Sequence, residues 1–463
     1  MKKIITILLS LTLILSVIFS LSSCLGTLGS ILSPSISKDN EDGEDDKGQK
    51  EEGGEEDKDP DKGTQGADKN EDDPEDESSE ENKPSATPEG GNAGGETNQG
   101  GDADEDVIPE FYPGSDQISV SGQTKAFLSV VSIVATFEAS YGRTQNSVGS
   151  GVIYKLNKES GDAYVITNYH VVYNRNATTE GGISTDIGLY LYGMELSSYK
   201  IKATYVGGSL NQDLAVLKVE GSEVLKNSSA RAADIGDSDK VRVLDSVLVI
   251  GNPEGYGISV TKGIVSVESE SLEMVGADAM TSLDLRVIRV DAAINEGNSG
   301  GGLFDENGNL IGIVNAKRTG SDVDNIGYAI PISYARNFAE SILYYCDGDE
   351  VTSPSKALMG ITITAKVLGL KVDETTGTIY RVEKVVIDSF AETSLAKEQL
   401  QVGDEILSLT IDGVKKEVTR IHHIIDHMLT ARLGSELTLE IIREGAPLTV
   451  TLIVTQAAFT VVK

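Results

Sequence analysis

Beyond about residue 118 the chain alternates short apolar runs, rich in Val, Ile, Leu and Tyr, with clusters of Gly, Asn and Asp. The runs fall at 130–137, 151–155, 164–167, 187–191, 215–219, 247–250, 287–290 and 310–314. Many short strands with turn signals between them predict an all-β barrel or sandwich. Residues 332–345 break that rhythm. Ala335, Phe338, Ala339, Ile342 and Leu343 recur at helical spacing, which predicts one amphipathic helix closing this region. A polar stretch, 347–354, reads as a linker. A second unit of about a hundred residues follows it, with strands, a helix near 419–433, and further strands at 437–443 and 448–454.

Upstream of this pattern the chain has a different character. Residues 38–106 are built mainly from Asp, Glu, Gly, Lys, Asn, Pro and Ser, with almost no large aliphatic or aromatic side chain. Such a segment cannot bury enough apolar area to offset chain entropy, so a disordered linker is expected. Its like charges repel and extend it as a spacer. Loose cation binding is the alternative, but the alternating ligand spacing of a calcium loop is missing. The segment holds 28 acidic and 7 basic residues, so it supplies most of the net charge of −34. The acidity therefore says little about the folded parts. It does argue against sequence-independent nucleic-acid binding, which needs a basic face. The two cysteines allow neither a disulfide framework nor a cysteine-based zinc site.

The first residues read as an export signal. Met1-Lys2-Lys3 is a short positive start, 4–21 is an apolar run broken only by Thr and Ser, and Leu21-Ser22-Ser23-Cys24 follows. That last sequence resembles a bacterial lipobox, which implies that Cys24 becomes the lipidated first residue of the mature protein. An uncleaved transmembrane helix is the alternative, since the run is about long enough to span a bilayer. On either reading the bulk of the chain lies outside the cytoplasm, tethered to a membrane.

Candidate chemistry sits in three stretches of the first folded region. His170, its only imidazole, closes an apolar strand in Thr167-Asn168-Tyr169-His170-Val171-Val172. Alone, such a histidine is more often a structural residue than a catalyst. Asp213 heads the strand Leu214-Ala215-Val216-Leu217, where an acid is commonly a turn or cap. Ser299 lies in Glu296-Gly297-Asn298-Ser299-Gly300-Gly301-Gly302, a loop dense in the residue that can turn successive N–H groups toward one point. Such loops are also plain turns. Together the three are more specific: an imidazole held by a carboxylate can take the proton of a serine hydroxyl, and convergent N–H groups stabilise an oxyanion.

With these stretches in hand, the region resembles the trypsin-like serine protease domain of the HtrA (DegP/DegS-like) family. Further matching stretches are Gly149-Ser150-Gly151-Val152-Ile153, Gly251-Asn252-Pro253-Glu254-Gly255, Ser259-Val260-Thr261-Lys262-Gly263-Ile264-Val265-Ser266, 291–302 and Gly327-Tyr328-Ala329-Ile330-Pro331. The resemblance implies a mainly β fold: a trypsin-like double six-stranded β-barrel over 111–346. It makes Ser299 the nucleophile, His170 the general base and acid, and Asp213 the orienting carboxylate. The N–H groups of Gly297 and Ser299 would form the oxyanion hole. Glu296 departs from the Pro or Arg that the family often has there, which implies tuning, not inactivation. Ala293, six before the nucleophile, and Ile294 would give the primary pocket an apolar floor suited to Val, Ala or Ile.

Residues 357–460 resemble the α+β PDZ domain appended to such proteases, after a 347–356 linker. Gly403-Asp404-Glu405-Ile406-Leu407, Ile411-Asp412-Gly413 and Ile441-Ile442-Arg443-Glu444-Gly445 carry that likeness. Leu358-Met359-Gly360-Ile361 stands where such domains bind a terminal carboxylate, with Ile361 and Ile363 flanking a groove for an added peptide strand. A plain packing module is the alternative. His422, His423 and His427 invite a metal reading, but no third ligand is evident in sequence, so they read as surface histidines and no metal is assigned. Cys346 reads as an inert thiol.

The resemblance thus implies an extracytoplasmic serine endopeptidase without metal or organic cofactor. Its partners would be unfolded or misfolded proteins, C-terminal peptides and the membrane, with 1–23 as signal, 24–110 as tether, and no nucleic acid. A homotrimer is implied, with Phe111 and Tyr112 as conceivable packing residues. The competing class is a protease-fold chaperone or PDZ scaffold whose triad is idle at rest.

Overall fold

In strand β1 (Val130–Ala139), Val131, Ile133, Ala135 and Phe137 alternate with residues facing the other way, and all four are buried. The same period of two places Ile153, Val165, Ile187, Leu189, Ile201 and Leu217 in one cluster with them. These residues come from β2 (Arg143–Asn157), β3 (Asp162–Thr167), β4 (Asp186–Tyr190), β5 (Ile201–Ser209) and β6 (Leu214–Val219). The six strands close as a barrel in the order β1-β2-β3-β6-β5-β4, whose interior is this cluster. In this computed structural model the described residues are 121–139, 142–194, 199–316, 326–346, 355–372, 374, 377 and 379–461. The signal, Cys24, the acidic tether, Phe111, Tyr112 and the linker at 347–354 lie outside them.

A second barrel follows. It uses β7 (Asp234–Ile235), β8 (Ser246–Gly251), β9 (Ser259–Val275), β10 (Ser282–Val290), β11 (Gly302–Asp305), β12 (Asn309–Asn315) and β13 (Gly327–Pro331). The order β11-β8-β9-β10-β13-β12 returns to β11 through a β11–β12 pairing, and the two-residue β7 adds to β12 in parallel. The double six-stranded arrangement is therefore present, with one short extra strand. Val247, Val249, Val265, Ile288, Val290, Leu303 and Ile311 fill this second barrel.

The apolar runs read in the sequence exceed a simple alternation because many strands are buried on both faces. Val152, Ile166, Val216, Ile250, Phe304, Leu310 and Ile313 form a third cluster with a helix (Ile332–Tyr345). In chain order the helices are α1 (Gly122–Leu128), α2 (Tyr169–Val172), α3 (Glu223–Asn227), this one as α4, and α5 (Ile421–Met428). Helix α4 has the bounds its spacing predicts, and Ala335, Phe338, Ala339 and Ile342 are its buried stripe. Cys346 follows it, buried, in keeping with a thiol that packs.

The C-terminal elements are β14 (Ser355–Ala357), β15 (Ile361–Val372), β16 (Ile379–Phe390), β17 (Glu405–Ile411), β18 (Val414–Glu417), β19 (Glu436–Arg443), β20 (Ala446–Ile453) and β21 (Phe459–Val461). A sheet ordered β15-β16-β17-β19-β20 packs with α5 around Val385, Ile387, Leu409, Leu437 and Leu439, and β21 returns to pair with β14. Helix α5 is shorter than 419–433. Arg420 is extended at its start, and after Met428 the chain leaves the helix through turns that reach Gly434 at φ +85°.

One ion pair ties this sheet together. The Arg443 guanidinium donates Nε to Asp404 Oδ1 at 2.8 Å and a second N–H to Oδ2 at 2.7 Å. Burial works against the Asp404 charge, but Arg443 and the Gln401 N–H hold this carboxyl below its ordinary range. Arg443→Met leaves that carboxylate buried without its cation. The C-terminal sheet is expected to lose about 3 kcal/mol at neutral pH, read from urea unfolding. The loss should shrink as acid protonates Asp404, because a depressed native pKa contributes stability only above that pKa.

Candidate active site

Strand β3 delivers Thr167 and Asn168 to the barrel rim, where the chain turns into α2 with His170 in its first turn. Val171 and Val172, both buried, anchor that turn. Asp213 ends the turn between β5 and β6 at φ +48°, a backbone region costly to a non-glycine residue. Asn168 Nδ2 donates to Asp213 O at 2.8 Å and holds the turn there.

The Asp213 side chain is only 1% exposed. Its Oδ1 accepts the His170 backbone N–H at 3.0 Å, and its Oδ2 lies 2.7 Å from His170 Nδ1. Asn315 Nδ2 donates to the same Oδ2 at 2.9 Å. With a carboxylate oxygen against Nδ1, the imidazole proton sits on Nδ1 and the Nε2 lone pair is left to act as a base.

Ser299 lies in the loop between β10 and β11, which is fastened to the first barrel by backbone and hydroxyl bonds. Ser150 N–H donates to Ser299 O at 2.8 Å, and Ser150 Oγ donates to Gly297 O at 2.7 Å. Asn252 N–H in turn donates to Ser150 Oγ at 2.8 Å. These approaches need glycine. Gly297 has φ +91°, and a Cβ there would lie 2.2 Å from Asn252 O. At Gly300 (φ +83°) a Cβ would lie 2.2 Å from Ser150 O and 2.3 Å from Thr167 Oγ1.

The N–H groups of Asn298, Gly300 and Gly301 bond to Asn295 O, Val314 O and Asn298 O. Among the described residues, those of Gly297 and Ser299 have no protein acceptor. Two unbonded N–H groups thus flank the serine, able to receive a developing oxyanion. The serine is 5% exposed, and its Oγ accepts the Ala316 N–H at 3.2 Å. No hydrogen bond joins that Oγ to His170 among the described residues. Catalytic hydrogen bonds often tighten only when substrate binds.

Glu296, the departure noted in the sequence, has an exposed side chain, and its carbonyl accepts the Glu254 N–H at 2.7 Å. Ala293 is exposed, while Ile294 is half-buried and packs on Gly327. Gly297→Ala should lower kcat/KM by about 10²-fold or more, because the added methyl must push the loop, and its N–H, off Asn252. Steady-state cleavage of an unfolded protein checks this.

Sequence reasoning passed over Asn315, Ser150 and Asn252. Asn315 stands one residue beyond the apolar run at 310–314. Ser150 and Asn252 lie inside quoted stretches with nothing local to mark them, since their partners are about 100 to 150 residues away.

In the C-terminal unit, Leu358, Met359, Gly360 and Ile361 line a cavity of about 580 Å³ with Ile363, Phe390 and α5 residues Ile424 and Met428. Among the described residues strand β15 pairs only with β16, and its other edge borders the cavity. Leu358 N–H is bonded to Ala458 O at 2.7 Å. Among the described residues, the N–H groups of Met359 and Gly360 have no protein acceptor.

The reading of His422, His423 and His427 as surface residues is corrected. His423 and His427 are buried and His422 nearly so, because α5 turns this side toward the second barrel. A carboxylate that the sequence did not point to is also near: Asp239, from a turn before β8, has an oxygen within 4.8 Å of ring nitrogens of His422 and His423.

Residues 149–313 match the family model of the trypsin-like peptidase domain. Among characterised proteins, the chain is 40% identical over 202 residues to serine protease Do-like HtrA of Bacillus subtilis, covering 43% of this chain and 40% of that one. It is 33% identical over 315 residues to periplasmic serine endoprotease DegP of Escherichia coli K12, covering 67% and 58%. The chain thus spans about 40 to 60% of the length of these relatives. A solved structure described as HtrA-type protease AlgW with tripeptide aligns at 29% identity and TM-score 0.44, over 72% of this chain and 95% of that one. Residues 149–313 are accordingly a trypsin-like peptidase domain, set in a chain similar to serine proteases of the HtrA and DegP kind.

Proposed function

We propose that this chain is a membrane-tethered, extracytoplasmic serine endopeptidase of HtrA type that cleaves misfolded or regulatory proteins. The observation that carries the reading is the His170–Asp213 contact at 2.7 Å together with the two unbonded N–H groups beside Ser299. In the reaction, His170 Nε2 takes the Ser299 hydroxyl proton as Oγ attacks the scissile carbonyl. The Gly297 and Ser299 N–H groups receive the oxyanion, and His170 returns the proton to the leaving amine. Water then enters by the same base catalysis and releases the acyl group. Asp213, with Asn315 behind it, keeps the imidazole in the tautomer that these steps need.

The C-terminal unit is proposed as a PDZ domain at 357–460 that takes C-terminal peptides along the open edge of β15. The terminal carboxylate would lie against the Met359 and Gly360 N–H groups. The tether, anchored at a lipidated Cys24, holds the protease away from the membrane, and the active assembly is a homotrimer. In the producing cell, metabolic labelling with a fatty acid should mark the protein. Cys24→Ser should abolish the label.

A second reading, a protein-binding molecule whose triad is idle at rest, draws on the Ser299 Oγ contact with Ala316 N–H in place of His170. Unfolded casein separates the two. Cleavage by the full chain that vanishes in Ser299→Ala supports the peptidase. Binding of casein without cleavage, even with C-terminal peptides added, supports the second reading.

A further inference from the structure

Helix α5 and its flanks meet the second barrel through charged and polar groups. Arg286 pairs with Asp426, which also accepts the Ser333 hydroxyl at 2.9 Å, and Asn337 Nδ2 donates to Asp426 O at 2.9 Å. Lys416 pairs with Asp239 through Oδ2, and Arg420 pairs with Glu268 and Glu383. Within this surface, Asp239 Oδ1 lies 3.8 Å from His422 Nε2 and 4.0 Å from His423 Nε2. Those separations are too long for hydrogen bonds. The His422 side chain is 16% exposed, and among the described residues neither ring nitrogen makes a hydrogen bond. An imidazole and a carboxylate oxygen that face each other across a gap, beside an open cavity, leave room for an occupant between them.

We propose that Asp239 Oδ1, His422 Nε2 and His423 Nε2 bind one divalent transition-metal ion of the zinc type, clamping the C-terminal unit to the second barrel. Two imidazoles and one carboxylate form a donor set that zinc takes, whereas calcium and magnesium prefer all-oxygen shells. Tetrahedral bonds of about 2.0–2.1 Å set donors about 3.4 Å apart, so Asp239 Oδ1 must close by about half an ångström on each ring nitrogen, and the two rings, whose donors lie within 4.8 Å, must draw together as well.

The surroundings fit a ligand role. His423 Nδ1 lies 3.0 Å from Glu417 O, and a proton on Nδ1 bonded to that carbonyl leaves the Nε2 lone pair facing Asp239. The Thr419 N–H donates to the same Nδ1 at 3.2 Å, so a metal at Nε2 requires the ring proton to move to Nδ1 and exchanges this bond for the one to Glu417 O. Lys416 holds the other Asp239 oxygen, as an outer partner orients a ligating carboxylate. The neighbouring cations are already engaged. Arg286, Arg420 and Lys416 each face a carboxylate, and Arg242 donates to Asp239 O and Val241 O. A cavity of about 230 Å³ opens onto the two rings, with room for the water that would complete the shell.

The test is a calorimetric titration of the full chain with zinc ion alone, in excess calcium so that the carboxylates of 38–106 are occupied. One zinc per chain is expected, weakened more than about tenfold in His422→Gln and in Asp239→Asn. It should be unchanged in His427→Gln, whose ring nitrogen bonds Val414 O instead. Among the described residues the His422 ring makes no hydrogen bond, so its variant should fold, and circular dichroism checks that. The proposal is overturned if the unsubstituted chain shows no such event, which would leave the gap to water. It is equally overturned if zinc binds the folded His422→Gln chain as tightly.

Discussion

Ser299→Ala is expected to reduce peptide hydrolysis by on the order of 10⁴- to 10⁶-fold, with kcat carrying the loss. The hydroxyl is the only group in the loop between β10 and β11 placed to form an acyl bond. Among the described residues its Oγ makes one hydrogen bond, with the Ala316 N–H, whereas the loop is held by Ser150 and by the turns at Gly300 and Gly301. Removing it should therefore leave loop and stability intact. The check is kcat and KM on a peptide substrate alongside a melting curve: KM and Tm near those of the unsubstituted chain, kcat at background. A variant that kept even a tenth of the activity would require another nucleophile.

Asp213→Asn should cost about 10⁴-fold in kcat with little change in fold. Both carboxylate oxygens of Asp213 accept: Oδ1 from His170 N–H, Oδ2 from His170 Nδ1 and Asn315 Nδ2. An asparagine must put an NH₂ at one of these positions. At Oδ2 it faces the Asn315 amide donor and the Nδ1 proton. At Oδ1 it faces the His170 N–H. Turning the Nδ1 proton to Nε2 relieves the clash with the imidazole, though not that with Asn315, and removes the lone pair that should accept the serine proton. The loss should accordingly fall on kcat, and alkaline pH should recover part of it as hydroxide substitutes for the base. A drop in KM alone, with kcat kept, would contradict the assigned role.

The strands easiest to read were those buried on both faces. The run at 310–314 feeds the second barrel with Ile311 and the seam between barrels with Leu310 and Ile313, so no polar residue interrupts it. β9 escaped notice as a strand because its long hairpin with β10 is largely half-buried or exposed, and Glu and Ser fill positions that carry no packing. β5 escaped because its end is Gly-Gly-Ser, where Gly207 packs against Ile342 of α4.

As candidates, His170, Asp213 and Ser299 could be picked out because each stands in a local stretch with its own signature, and the fold joins His170 to Asp213 and fastens the Ser299 loop to the same barrel. Asn315 could not, since only the closed second barrel carries its amide to Asp213. The histidines of α5 were misread for a related reason. On a single helix they look like a polar face, and only docking against Asp239 and Arg286 buries them. What the sequence conceals is chiefly burial supplied by distant chain.

The most direct test of the endopeptidase reading is where an active-site-directed acylating mimic attaches. The full chain is treated with a fluorophosphonate, digested, and the adduct located by mass spectrometry. A single adduct on Ser299 is predicted, absent after prior denaturation and strongly slowed in His170→Ala. An adduct on another residue, or none while casein is being cleaved, would contradict the account.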